Sequence, residues 1–405
     1  MAMLLSRGEE TTLDPIMAID ELFRADKASN KLNLVVGVFQ NEDGETPVLS
    51  AVKSAEALLV TAERTKAYLP IAGEASFISQ AESLVFGAGF RSSIGNEIAS
   101  VQTPGSTGAL RIAAELIKQS SPHSRVWVGI PAYSNHRPIF TAAGLGVADC
   151  RYYDPLTGTV LFEEMLSDLS KAAAGDVVLL HACCHNPTGS NLTIDQWSEL
   201  AHFCVRRSLL PLVDAAYLGL GTSIDADAAG LRVLAGVCRE AIIATSFSKT
   251  FALYSERVGL LSFVGDKDVV KAAERAKVSV RAIYTSPPSH GACVVSLILA
   301  DGELRRQWLL ELDAMRSKLL DVRLLLADAL DADAEGRDIF PSLRNNRGMF
   351  TLSRLTRADV QLLRQRHHIY VLDNGRLSFG GLRRKDIQIL CSAITDVSDR
   401  RARSA

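Results

Sequence analysis

Residues 241–260, AIIATSFSKTFALYSERVGL, carry the pattern from which the fold follows. The run opens with apolar, Ile-rich residues, the mark of a buried strand. It stops abruptly at a polar cluster of Ser246, Ser248, Lys249 and Arg257. Packing alone gives no reason for two hydroxyls and two cations to close a buried strand; the plain alternative is a surface Lys and Arg after an ordinary one. Burial and a neighbouring cation lower the pKa of an amine and make it nucleophilic near neutral pH. The cluster therefore points to a lysine amine presented to a cofactor aldehyde, with the hydroxyls and the arginine holding an anion beside it.

Short β-rich runs alternate with helical stretches on both sides of this segment. Strands are expected over residues 125–130, 177–181, 210–214, 241–245 and 260–264. A helix is expected over residues 193–207, opened by Thr193 with Gln196 three residues on as a capping box. This alternation predicts an α/β fold, a mostly parallel sheet covered on both faces. Ligands of such open sheets bind beyond the carboxyl ends of the strands. There the chain places Tyr133, Asn135 and His136, then Asn186 in HNPTG, then Asp214 and Tyr217, then Ser246 and Lys249.

Asp214 closes the apolar run LPLVD, so it is buried and needs a partner to stay ionised. A protonated pyridine nitrogen is such a partner; a satisfied structural acid is the alternative. The turn TPGSTG precedes a helix whose Leu110, Ala113, Leu116 and Ile117 share a face. Ser106 and Thr107 supply hydroxyls there and the helix start supplies free amides, which together suit a phosphate. An ordinary capped helix start has the same composition.

With 405 residues the chain is long for one domain, so a large and a smaller one are expected. A formal net charge of −2 gives no electrostatic case for nucleic acid or an anionic membrane. No apolar run is long enough to span a bilayer, and residues 1–7 are too short for a leader, so the expected compartment is the cytoplasm. Seven cysteines, an odd number, point to reduced thiols. Cys183 and Cys184 beside His185 suggest a metal only superficially, because neighbours on a strand point to opposite faces. No metal site is expected.

The run SFSKTFALYSERVG resembles the lysine segment of the class I aminotransferases, in their aspartate and aromatic amino acid branch. The similarity runs from about residue 33 to residue 381, with the motifs in the family's order. It implies a three-layer pyridoxal 5'-phosphate-dependent transferase fold. A large cofactor-binding domain would span residues 47–311, and residues 1–46 with 312–405 would form a smaller α+β domain. Lys249, Asp214 and Tyr217 are the implied catalytic residues. Ser106, Thr107, Ser246, Ser248 and Arg257 would hold the phosphate, together with Tyr68 from the other subunit of a homodimer with shared active sites. Asn186 and Tyr133 would tune or stack on the ring, and His136 would support Asp214. Arg376 would grip the substrate α-carboxylate, Arg281 of the partner a second carboxylate, and Gly37 would lie in a segment that closes over the substrate. Tyr133 stands where tryptophan is commoner and Ser286 where another polar residue is usual, so substrate preference is where this chain departs from its family.

Elsewhere LNLVVGVF reads as a strand broken at Gly37, and residues 46–64 as a helix. Arg281 lies before a proline pair in what reads as a rigid turn. Residues 303–332 read as one long helix and residues 357–367 as another. Asn374-Gly375 between two apolar runs signals a hairpin, and the tail DRRARSA reads as frayed. The function expected is amino transfer between an aromatic or dicarboxylic L-amino acid and a 2-oxo acid, 2-oxoglutarate because of Arg281. The alternatives are a strict aspartate aminotransferase, a lyase or decarboxylase using the same cofactor, and a non-catalytic binding protein. A nucleotide-binding α/β protein is disfavoured because neither GxGxxG after the first strand nor a phosphate-loop lysine motif is present.

Overall fold

The computed structural model describes residues 14–90, 97–266, 268–332 and 339–404; residues 1–7, the expected non-leader, and the rest of residues 1–13 lie outside them. Its centre is a seven-stranded sheet. After a short β1 (Leu32–Asn33), the sheet strands are β2 (Glu97–Pro104), β3 (Arg125–Ile130), β4 (Gly146–Arg151), β5 (Val177–His181), β6 (Leu210–Ala215), β7 (Glu240–Ser246) and β8 (Val258–Gly265). They stand in the order β2-β8-β7-β6-β5-β3-β4. All pairings are parallel except those of β8, which runs antiparallel to both neighbours. All five expected strands form; β2 and β4 were not foreseen, and β8 was not read as reversed.

The near-continuous apolar runs are explained by the two covered faces. Val177, Leu179, Leu212, Ile242 and Leu261 pack on one side with Leu110 and Ala113 of the helix Gly105–Ser120. Val178, Leu180, Val213, Ile243 and Leu260 pack on the other, with Trp197 and Leu200 of the helix Ile194–Arg207. That helix carries the expected capping box between Thr193 and Gln196.

The helix Gly302–Ala332 matches its expectation and buries Trp308, Leu312, Met315 and Leu319. Arg323 on the same helix is 1% exposed. It donates to the carbonyls of Gly348 and Phe350 at 3.0 and 2.8 Å and lies over the Phe379 ring. Burial pulls its pKa down to about 9, which leaves it charged at neutral pH. Arg323 thereby fixes β9 (Phe350–Leu352) against the long helix. β9 pairs antiparallel with β11 (Arg376–Ser378), and β1 pairs parallel with β10 (Ile369–Tyr370).

Several expectations change here. LNLVVGVF is strand only at Leu32–Asn33, because the chain then leaves β10 and the Leu34 carbonyl accepts from the Ser378 amide instead. The Asn374-Gly375 turn forms, with Gly375 at φ 82°, but the runs it joins are not hairpin partners: β10 pairs with β1 and β11 with β9. Arg281 lies in the last turn of the helix Val269–Ile283 rather than in a turn before the prolines. The tail continues the helix Ile387–Ser404 instead of fraying before it. The helix expected over residues 46–64 is Ser50–Ala62, and a helix at Pro15–Ala25 was not foreseen. Among the described residues no helix is long and apolar enough to cross a membrane.

Trp308 tests how this core is held. It is fully buried, stacks on Phe251 with centroids 4.3 Å apart, and donates from Nε1 to the Thr250 carbonyl at 3.0 Å. Trp308→Ala is expected to lower the unfolding free energy by about 3–5 kcal/mol. Urea titration followed by circular dichroism would check this, and a loss under about 1 kcal/mol would show that the site collapses around the deletion.

Candidate active site

Strand register assembles the site. His181 at the end of β5 pairs with Asp214 on β6, Asp214 with Ala244 on β7, and Ser246 with Gly259 on β8. Carboxyl ends of three adjacent parallel strands thus deliver their polar residues to one edge, where a cavity of about 230 Å³ opens. The segment after β7 alternates: Phe247 and Phe251 enter the core against Phe77 and Trp308, while Ser246, Ser248 and Lys249 line the cavity. Thr250 braces the turn by donating to the Leu218 carbonyl at 2.9 Å.

Lys249 is half-buried, and its Nζ lies 5.4 Å from the centre of the Tyr217 ring. Burial lowers its pKa, the Asp214 charge works against that, and Arg257 lowers it further. Asp214 is 4% exposed and accepts a hydrogen bond from His136 Nε2 at 3.0 Å. Burial alone would raise its carboxyl; the hydrogen bond from His136 and electrostatic attraction to His136 and Lys249 outweigh it and hold the pKa below the usual range. Burial pushes His181 down to about 3, with His136 adding to the effect, so His181 is neutral. Asp214 Oδ1 has no hydrogen-bond partner among the described residues although it is buried.

At the other end of the cavity Ser106, Thr107, Ser246, Ser248 and Arg257 converge. Arg257 donates to Ser248 Oγ at 3.1 Å and to the Tyr254 and Pro104 carbonyls. Gly105 begins the helix at φ +70°, and a Cβ there would stand 2.4 Å from Arg257 Nη2. Only glycine lets the guanidinium and the helix start meet this closely. The arrangement has a cation, hydroxyls and free helix amides aimed at one space, which is the chemistry of an anion cradle.

Between the two ends stands Arg376, 2% exposed. It donates to Asn186 Oδ1 at 3.1 Å and to the Val35 carbonyl, and its guanidinium lies 4.4 Å over Phe350. Asn186 donates in turn to the Tyr217 hydroxyl at 3.4 Å. Burial pulls the Arg376 pKa to about 10, so it remains a cation. Its Nε lacks a partner among the described residues. Gly37 also lines the cavity; a Cβ there would meet Phe350 Cζ at 2.6 Å, so close approach and not strand geometry requires the glycine.

Twelve of the residues singled out in the sequence therefore share one cavity: Gly37, Ser106, Thr107, Tyr133, Asn186, Asp214, Tyr217, Ser246, Ser248, Lys249, Arg257 and Arg376. Two do not. Tyr68 is 89% exposed, and Arg281 is exposed on its helix; neither lines the cavity of this chain. His181, Tyr254, Phe350 and Ile16 line it without having been singled out. His181 closes the apolar run VVLLH and obeys the strand-end rule that found Asp214. Phe350 and Ile16 reach the site from distant segments and left no local signal.

Cys183 and Cys184 do not point apart as expected. Cys184 has left the strand in a left-handed conformation, φ 51°, and the two thiols gather with the Asp227 carboxylate within 4.8 Å. Asp227 is already engaged by the amides of Gly219, Gly221 and Thr222 at 2.8–2.9 Å, so the trio is accounted for as core hydrogen bonding.

A half-buried lysine, an anion cradle and a buried carboxylate with an orphaned oxygen fit a phosphorylated, nitrogen-ring aldehyde cofactor. The family model for aminotransferase class I and II matches residues 29–394. The chain is 42% identical over 386 residues to an aspartate aminotransferase of Escherichia coli, covering 95% of this chain and 97% of that one. It is 41% identical over 386 residues to an aromatic-amino-acid aminotransferase of Paracoccus denitrificans, with the same coverage. A crystal structure of an aromatic-amino-acid aminotransferase from Burkholderia pseudomallei, covalently bound to pyridoxal phosphate, superposes with a TM-score of 0.93 at 38% identity, covering 98% of this chain and all of that one. The chain belongs to the class I and II aminotransferase family, and it is a pyridoxal-phosphate-dependent enzyme that moves an amino group between an amino acid and a 2-oxo acid.

Proposed function

We propose that this enzyme accepts both aromatic and dicarboxylic L-amino acids, with 2-oxoglutarate as the partner oxo acid. The cofactor, when bound, withdraws electrons from the substrate α-carbon. Lys249 Nζ would hold the cofactor and then carry the proton to and from that carbon. Asp214, oriented by His136, would keep the ring nitrogen protonated through its unpartnered Oδ1. Tyr217 and Asn186 would hydrogen-bond the ring oxygen, and Tyr133 would stack on the ring face. Ser106, Thr107, Ser246, Ser248 and Arg257 would hold the phosphate. Arg376 would grip the α-carboxylate in a two-pronged salt bridge, and Gly37 would admit the substrate beneath the 35–38 segment.

The observation that carries these assignments is that an ionised Asp214 with an orphaned oxygen and the half-buried Lys249 line one cavity. Tyr68 and Arg281 join the site only in a homodimer, in which each would reach the partner's cavity; their exposure here agrees with that. Arg281 would then pair with a substrate side-chain carboxylate. The pairing of β1 with β10 supports a small domain made of residues 1–46 and 312–405, set against a large domain of residues 47–311. A cytoplasmic location accords with the absence of any membrane-crossing helix among the described residues.

The test is the visible spectrum of the cofactor-loaded protein, before and after adding L-phenylalanine or L-aspartate without any oxo acid. Bleaching of the visible band by each amino acid is the expected outcome. Bleaching by aspartate alone would make this a strict aspartate aminotransferase and remove the role given to Tyr133. Bleaching by neither would remove the donor assignment altogether.

A further inference from the structure

The helix Pro15–Ala25 is tied down at its two ends to different parts of the molecule. Its later turns belong with the C-terminal part. Ile19 packs with Tyr370 and Leu372, Phe23 meets Tyr370 edge-on at 5.4 Å, and Asp20 accepts from Asn33 at 2.7 Å. Its first turn belongs with the sheet. Asp14, the N-cap, accepts from the Ile16 amide at 2.8 Å through Oδ1, and from Ser134 Oγ at 2.9 Å through Oδ2. Ser134 lies in the loop after β3, one residue from Tyr133. One carboxylate therefore joins the two walls of the cavity, Ile16 on one side and Tyr133 on the other.

A second cavity of about 200 Å³ adjoins the first, lined by Pro15 and Ser134 together with Asn186 and Arg376. A first turn standing over open space depends on its polar tie more than one laid on packed side chains. Asp14 is also felt inside the site. Burial is the main cause of the raised Tyr133 pKa, and the Asp214 and Asp14 charges add to it.

We propose that the Ser134–Asp14 hydrogen bond is a positioning latch that sets the side-chain wall of the substrate pocket by holding Ile16 over it. This rests on the substrate site proposed above. Ser134 and Asp14 act through Ile16 and Tyr133 and touch no reacting atom. Losing the latch loosens a wall that contacts substrate and transition state alike, so the loss falls on KM and not on kcat.

The experiment compares the holoenzyme with Ser134→Ala, Ser134→Thr, Asp14→Ala and the Ser134→Ala/Asp14→Ala double variant. KM and kcat are measured for L-phenylalanine and L-aspartate with 2-oxoglutarate, and hydrogen exchange is followed at the Ile16 and Ala18 amides. The loss of one charge-assisted bond predicts a KM about 5- to 10-fold higher in Ser134→Ala, with kcat within about 2-fold. Exchange at Ile16 and Ala18 should quicken by a similar factor. The threonine variant keeps the hydroxyl and should restore both values, and the double variant should be no worse than Asp14→Ala alone. Additive losses, a failed threonine rescue, or faster exchange with unmoved KM would each overturn the latch. If the parent enzyme transfers no amino group from either donor, the substrate assignment fails instead, and the exchange and rescue results still report on the bond.

Discussion

Lys249→Ala is expected to keep the fold and lose about 10⁴-fold in turnover, the upper range for removing a positioned general base. The side chain has no structural task that would be missed. Its Nζ makes no hydrogen bond among the described residues, lies 5.4 Å from the Tyr217 ring centre, and is disfavoured in its charged form by burial. Burial holds the amine's pKa below that of a free lysine, which suits it to take a proton from carbon. Circular dichroism and the unfolding midpoint should therefore stay close to the parent's while single-turnover amino transfer collapses. Because burial dominates the shift and Asp214 opposes it, the base should remain competent on the alkaline side of neutrality and fail as pH falls and the amine is protonated. A variant retaining more than about a tenth of the parent rate would remove Lys249 from the catalytic role.

Asp214→Asn should cost about 10³-fold in kcat/KM, because removing one partner of a buried ionic pair costs about 3–5 kcal/mol and each tenfold in rate corresponds to about 1.4 kcal/mol. Asparagine keeps the volume and a carbonyl oxygen for His136, so the loss reports charge and not shape. The carboxylate is ionised despite burial because His136 donates to Oδ2 and the Lys249 amine favours the anion. That leaves Oδ1 with a full negative field and no partner among the described residues, a costly state unless a ring N–H occupies it. The visible spectrum and the half-reaction with L-phenylalanine, followed by stopped flow, would separate weaker cofactor retention from slower proton transfer. A loss of less than about 10-fold would mean that the carboxylate serves packing and does not set the ring's protonation.

The two variants bear on unequal parts of what the sequence made visible. Lys249 was found from its own neighbourhood, since a polar cluster ending an Ile-rich strand is anomalous within a few residues. Asp214 needed one further fact, that parallel strands bring their carboxyl ends to one edge, and the pairing of His181 with Asp214 and Asp214 with Ala244 realises it. The roles of Arg376, Tyr68 and Arg281 came only from family resemblance, because a lone arginine or an exposed tyrosine has no local mark of function. Of these, Arg376 lies in the cavity, whereas Tyr68 and Arg281 stand on the outside of the single chain.

What the sequence by itself determined is whatever short-range chemistry decides: the apolar alternation that covers both sheet faces, the Thr193 capping box, the 31-residue helix Gly302–Ala332, the turn at Gly375, and the polar residues that close each strand. These depend on periodicity and on backbone preferences over a few residues. What only the tertiary structure decided is partnership across distance. β8 runs antiparallel, β11 takes β9 rather than β10, Phe350 is pinned by Arg323 from the long helix, and Asp14 finds Ser134 across 120 residues. A strand edge or a carboxylate accepts many partners equally well, so the choice among them falls to the packing of the whole core.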